Sequence, residues 1–172
     1  MANERYTRTN QKIFFAGIAL DNWRRAAVSH AFNTAALVQA EREAALFHLY
    51  GGLLGLCHEI AGYYRMADAA PERVEDFVQP IVLERSPCPE LAELLELTQH
   101  RETWLAQLLA AYAALFQPPR EMPKSQVDPA MPLITAVGIG NERTEPDLDE
   151  LDAWRLQLKA LVLHFREGLS EC

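Results

Sequence analysis

Through most of this chain apolar residues recur at three- and four-residue intervals, the spacing that lines one face of an α-helix. Ile13, Phe14, Gly17, Ile18, Leu20 and Trp23 keep that spacing, while Lys12, Asp21, Arg24 and Arg25 take the other side. This predicts a first helix from about Asn10 to His30. Asn33-Thr34 suits the N-cap of a second, long helix from about Ala35 to Met66. Its polar start (Gln39, Glu41, Arg42, Glu43) gives way to an apolar run from Leu46 to Cys57. A helix apolar on nearly every side is central to its domain or lies in an interface. Gly51, Gly52, Gly55 and Gly62 interrupt it, and each costs up to about 1 kcal/mol against Ala in a helix interior. Close approach of a neighbouring backbone is the expected compensation.

Ala69-Ala70-Pro71 ends the second helix, and Glu72 to Val78 reads as a short third one stopped by Pro80. Pro89 suits the first position of a further helix, expected from about Glu90 to Phe116. Its second half, Trp104 to Phe116, holds no charge, which predicts deep packing or an association surface. Pro118, Pro119, Pro123, Pro129 and Pro132 exclude a helix from Gln117 to Glu145, where Leu133 to Ile139 is expected to run extended. The last helix opens on Thr144-Glu145-Pro146-Asp147, a capping-box-like start, and should end at Gly168. Leu148, Leu151, Trp154, Leu158, Leu161 and Phe165 give it a clean inner stripe. The fold class expected is all-α. The arrangement is an up-and-down bundle of four long helices, with one short helix and a long Pro-rich loop before the last. Residues 1–172 form a single domain, with no repeat and no internal boundary.

Composition agrees with a globular domain: 172 residues, 49% hydrophobic and 23% charged. A chain this long buries roughly 70% of its extended surface and needs no metal or disulfide to fold. The net charge of −8 argues against a general nucleic-acid binder, which needs a basic face. Cys57, Cys88 and Cys172 show no metal-ligand spacing and suit a reducing cytoplasm. Arg5, Arg8 and Lys12 precede the apolar stretch Ile13 to Leu20, but Glu4 and Asp21 bracket it and no cleavage signal follows. No apolar run approaches the 18–20 residues or so of a spanning helix, so no membrane association is expected.

The charge is unevenly placed. The first helix is basic, whereas Glu142, Glu145, Asp147, Asp149, Glu150 and Asp152 crowd the start of the last one. Acids in a first helical turn are favoured by the helix dipole, and the same cluster is the expected docking patch for a basic partner.

Candidate chemistry is sparse. Glu96 and His100, with the adjacent pair His58-Glu59, come nearest to a metal site, but neither has the Glu-x-x-His spacing of a carboxylate-bridged pair. Adjacent helical residues diverge by about 100°, so His58 and Glu59 do not readily serve one ion. No metal or other cofactor is expected. Arg42-x5-His48 resembles the loose Arg-x4–6-His pattern of the HEPN ribonuclease domains, in that pair alone. That resemblance implies metal-independent RNA cleavage at a dimer interface, with Arg42 and His48 as the catalytic pair. Glu43 replaces the family's usual polar residue after the Arg, and the basic surroundings that RNA requires are missing. Gly138-Ile139-Gly140-Asn141 lacks the third Gly and the Lys of a phosphate loop and reads as a turn.

A wider resemblance rests on RTNQKIFFAGIAL (Arg8 to Leu20) and QAEREAALFHLYGGLLGLCHEIAGYYR (Gln39 to Arg65). Both stretches resemble an uncharacterised family of short acidic all-helical proteins from pseudomonads, which implies a bacterial helical domain and assigns no site. The reading is a non-enzymatic cytoplasmic interaction or regulatory protein with an unidentified protein partner. A homodimer would use Tyr50, Gly51, Gly52 and Gly55, or Leu108, Tyr112 and Phe116. A metal-binding or small-ligand-binding bundle and the HEPN-like ribonuclease are the alternatives.

Overall fold

The computed structural model describes residues 2–67, 69–118 and 145–170, and among these it holds seven helices and no strand. They are α1 (Ala2–Ala27), α2 (Thr34–Tyr63), α3 (Val74–Phe77), α4 (Pro80–Arg85), α5 (Pro89–Gln99), α6 (Trp104–Ala114) and α7 (Leu148–Ser170). The described residues are all-helical, as their periodicity predicts. The stretch expected as the long Pro-rich loop, with Leu133 to Ile139, lies for the most part outside the described residues.

Several boundaries differ from expectation, among them the end of α2 at Tyr63 and the passage of α7 beyond Gly168, and three others have a local reason. α1 begins near the chain start and not at Asn10, because α7 holds its first turns: the Arg166 guanidinium donates to the Tyr6 carbonyl at 3.4 Å and lies 4.6 Å from the Tyr6 ring centroid. The single helix expected from Glu90 to Phe116 is two helices, α5 and α6. His100 turns extended (φ −100°, ψ 113°), and Thr103 caps α6, its hydroxyl oxygen accepting from the Ala106 N–H at 3.2 Å. The same hydroxyl also bonds the Leu97 and His100 carbonyls at the end of α5, tying the two helices across the break. Pro80 opens α4 where a stop was expected, since a proline at a first helical position gives up only an amide with no partner there. Pro89 opens α5 in the same manner.

α2 ends on Arg65 at φ 50°, with the Met66 N–H reaching back to the Ala61 carbonyl at 2.9 Å. This is a Schellman closure with arginine in the left-handed position that glycine usually fills. At the other end of the fold, the Asp147 carboxylate accepts from the Glu150 N–H at 2.8 Å and caps α7. α7 then runs through Gly168 to Ser170.

Side-chain pairings set the helix directions. Thr9 meets Glu59 and Asn22 meets Glu41, so α1 and α2 are antiparallel. Arg24 meets Asp152 and Asn10 meets Arg166, so α7 is antiparallel to α1 and runs parallel to α2. α2 is also touched by α3 and α6, which explains a helix apolar nearly all round. Its length and composition alone would suit a bilayer, contrary to the sequence expectation, but 67% of its apolar window is buried inside the protein. Leu20, Leu49, Leu53, Leu56, Ile60, Leu151 and Leu158 are buried completely at this junction. Leu91, Leu94, Leu105 and Leu108 extend the same core under α5 and α6.

Gly51, Gly52 and Gly55 of α2 lie where α1 presses closest. A Cβ on Gly55 would stand 2.6 Å from the Thr9 hydroxyl oxygen and 3.3 Å from its Cα. Gly51 faces the Lys12 stem at 3.2 Å, and Gly52 faces Leu158 and Ile13 at 3.2 and 3.3 Å. Gly17 of α1, in contrast, has only the flexible Arg155 side chain, at 3.7 Å. Gly55→Ala should therefore destabilise the fold by about 2 kcal/mol in urea unfolding despite its gain in helix propensity, whereas Gly17→Ala should be neutral or add up to about 1 kcal/mol. Equal effects at the two positions would contradict the close approach at Thr9.

Candidate functional site

The most deeply buried charge is Glu59, on the face of α2 between α1 and α7, with a side chain wholly removed from solvent. An isolated carboxylate there would be strongly unfavourable, so its partners are structural requirements. Arg166 of α7 supplies a two-pronged contact, Nε to Oε2 at 2.9 Å and Nη2 to Oε1 at 2.8 Å. The Thr9 hydroxyl of α1 donates to the same Oε1. Arg166 also donates from Nη1 to Asn10 Oδ1 at 2.9 Å. One carboxylate thus joins three helices.

His58, beside it in sequence, points elsewhere: its Nε2 lies 2.8 Å from the Pro71 carbonyl oxygen and holds down the segment after α2. Glu96 and His100 are exposed on α5 and at its end. Among the described residues no three of His, Cys, Asp and Glu gather where they could hold a metal ion. His58, Glu59, Glu96 and His100, the sequence candidates for metal, do not converge.

Arg42 and His48 are likewise separated by their surroundings. Arg42 ion-pairs with Glu145 at the start of α7. His48 packs between the rings of Phe15 and Phe47, at centroid distances of 5.4 and 5.5 Å. Burial, and secondarily the Lys12 ammonium, hold the His48 imidazole below its ordinary pKa. Lys12 itself lies over Phe47, 4.8 Å from the ring centroid.

The acidic start of α7 is largely occupied within the chain. Glu145 takes Arg42 and Asp147 caps the helix. Asp152 accepts from Arg24 at 2.7 Å and from Arg155 at 2.8 Å. Burial acts to raise the Asp152 pKa, but the two guanidiniums outweigh it and hold the carboxyl below its usual value. Asp149 and Glu150 are exposed, and Glu142 lies outside the described residues.

Of the two apolar segments read as association surfaces, Tyr50 to Gly55 is mostly buried, whereas α6 buries only Leu105 and Leu108 and leaves its other residues half-buried or exposed. The Tyr50 ring stacks on Tyr112 at 3.9 Å with an interplanar angle of 9°. The Tyr50 hydroxyl donates to Glu75 at 2.8 Å and accepts from the Val74 N–H at 3.1 Å. Burial, reinforced by Glu75, pushes that phenol up to about 12 against the lowering effect of the Val74 N–H. Gly51, Gly52 and Gly55 pack against α1, and Leu108 is fully buried; Phe116 remains exposed.

Among the features that open outward are an aromatic strip and a cleft. On the outer side of the α1–α2 pair, Phe14, Phe15, His48 and Phe47 form a continuous aromatic strip, with successive ring centroids 6.4, 5.4 and 5.5 Å apart. Phe14 is 65% exposed, Phe47 51% and Ile18, one turn from Phe14, 42%. Elsewhere, α6 and α7 diverge over the first half of α2 and leave a cleft of about 260 Å³. Its lining includes the buried Leu46 and Trp154, with Arg42, Arg101 and Glu150 among its charged groups.

Sequence reasoning missed Arg166 and Thr9 altogether. The available signal was Glu59 itself, an acid inside the apolar run from Leu53 to Ala61, which demands a partner from another helix.

These features describe an all-helical domain organised around a buried ion pair. The chain belongs to a family of unknown function, DUF6586, whose family model matches residues 1–172. Comparison with curated proteins and with solved structures finds no match.

Because the folded protein holds the His48 proton less tightly than the unfolded chain, the stability His48 confers is present above the unfolded pKa. It is lost as pH falls from about 6.5 through the lower folded value. NMR titration of the imidazole should give a midpoint below 6.5, and Lys12→Gln should raise it part of the way back. A midpoint at or above 6.5 would contradict the packing described.

Proposed function

We propose that the protein is a non-enzymatic interaction protein that works as a homodimer, joined through the aromatic strip on the outer flank of α1 and α2. The observation that carries this reading is the continuous exposure of Phe14, Ile18 and Phe47. Scattered single apolar residues on a surface are ordinary, whereas a contiguous apolar patch marks a contact site.

An isologous dimer sets the strip of one copy against the same strip of its mate, so that Phe14, Ile18 and Phe47 of both copies leave solvent together. Four helices would then bury the two strips together, with the phenylalanines as central anchors.

The ribonuclease reading has no such support. Arg42 faces Glu145 and the cleft beside α7, whereas His48 sits among the rings of Phe15 and Phe47, so the two are turned to different neighbours.

Sedimentation or light scattering of the wild-type protein should give twice the 19.4 kDa chain mass. Ile18→Glu combined with Phe47→Glu should give the monomer mass with an unchanged helical circular dichroism spectrum. A wild-type protein monomeric at high micromolar concentration, or a dimer that survives both substitutions, would overturn the reading.

A further inference from the structure

We infer that the cleft between α2, α6 and α7 is a binding site for a small amphipathic carboxylate, an organic acid with one apolar end. The site lies on a different part of α2 from the aromatic strip and does not depend on the dimer reading.

The shape comes first. α6 and α7 are joined to α2 but touch each other little, so the groove between them stays open above the N-terminal half of α2. Its floor is apolar and rigid: Leu46 is 2% exposed and Trp154 4%, both belonging to the main core. Ala111 and Leu115 of the α6 region line its side. Small side chains at 110, 111 and 114 hold the space open where larger residues would close it. A volume of about 260 Å³ takes roughly eight or nine waters, or an organic molecule of about ten heavy atoms. Ligand sites characteristically combine such an apolar lining with a few polar groups that fix orientation.

The charged groups then choose the ligand. Two arginines and two glutamates line the cleft, yet they are not equivalent in depth. The Arg42 side chain is 16% exposed, whereas Glu145, its ion-pair partner, is 66% exposed. The sheltered charge is therefore cationic and the acidic one faces water. Arg42 presents five donors, and its pairing with Glu145 runs through Nη1. Arg101, exposed at the α5–α6 break, contributes a second guanidinium, and no ion pair engages it among the described residues. Two guanidiniums at the edge of an apolar floor suit a planar carboxylate, which arginine binds with paired N–H donors. Gln107, whose side-chain amide donates to the Glu102 carbonyl at 3.4 Å, also lines the cleft. The apolar end of the acid would lie on Trp154 and Leu46, where it displaces water from a mostly apolar surface.

The test is a titration of the full-length protein with phenylacetate and with benzoate, followed by two-dimensional amide and indole NMR. Benzylamine, of similar size and opposite charge, is the control. Either acid should bind in the millimolar range or tighter, moving the Trp154 indole and the Ala111 and Leu115 amides. Benzylamine should bind at least about tenfold more weakly. Arg101→Gln, an exposed change that leaves the core untouched, should weaken the acids by about fivefold to tenfold. Ala111→Phe, checked for an unchanged helical spectrum, should abolish the shifts by filling the cleft. The inference is overturned if the acids leave the cleft resonances unmoved, as when the space is already taken by the chain itself. It is equally overturned if benzylamine binds as well as the acids, or if Arg101→Gln has no effect.

Discussion

A carboxylate with no access to solvent, Glu59, is held by an arginine 107 residues further along the chain and by a threonine 50 residues before it. The rest of the bundle is arranged around that fact. Arg166 can grip Glu59 with two nitrogens, reach Asn10 and lie against the Tyr6 ring only if α7 runs antiparallel to α1 in one register. Thr9 can donate to Glu59 only if α1 approaches within the space that Gly55 leaves open. Apolar packing is permissive about sliding one helix along another, because a leucine stripe repeats every turn or so. A single buried ion pair is not permissive. Replacing one by well-packed hydrophobic residues is often neutral or stabilising, so its role here is to select one register more than to add stability.

The register decides what the molecule presents outward. With α1 and α2 fixed in this register, the outer side of the pair keeps Phe14, Ile18 and Phe47 in solvent. With α7 running parallel to α2, the acidic start of α7 comes to Arg42 and Arg24, where much of its charge is neutralised. Capping and internal pairing engage Glu145, Asp147 and Asp152 there, while Asp149 and Glu150 stay exposed. The same placement sets α6 apart from α7 and creates the cleft.

The sequence made the helical class and the central place of α2 legible, because both follow from local spacing. The glycines at 51, 52 and 55 pointed to a close neighbour, and that neighbour is α1. What the spacing could not show was pairing between distant residues. Arg166 is one of several charged residues on a surface-facing stripe of α7 until Glu59 is set beside it. The break between α5 and α6 was hidden because the apolar rhythm continues across it; only the cap at Thr103 marks it, and threonines are common in helices that do not break. Tyr50 and Tyr112 illustrate the same limit: their aromatic character was plain, but their mutual stack closes a surface that composition alone would leave open.

A double-mutant cycle on Glu59→Gln and Arg166→Met, read by urea unfolding, tests the central claim most directly. The account predicts that each single change costs about 3 kcal/mol, while the double mutant loses little more than either alone, a coupling of about 2 kcal/mol or greater. Additive losses, or singles that cost no more than an exposed surface pair, would contradict the account and leave the helix register to apolar packing alone.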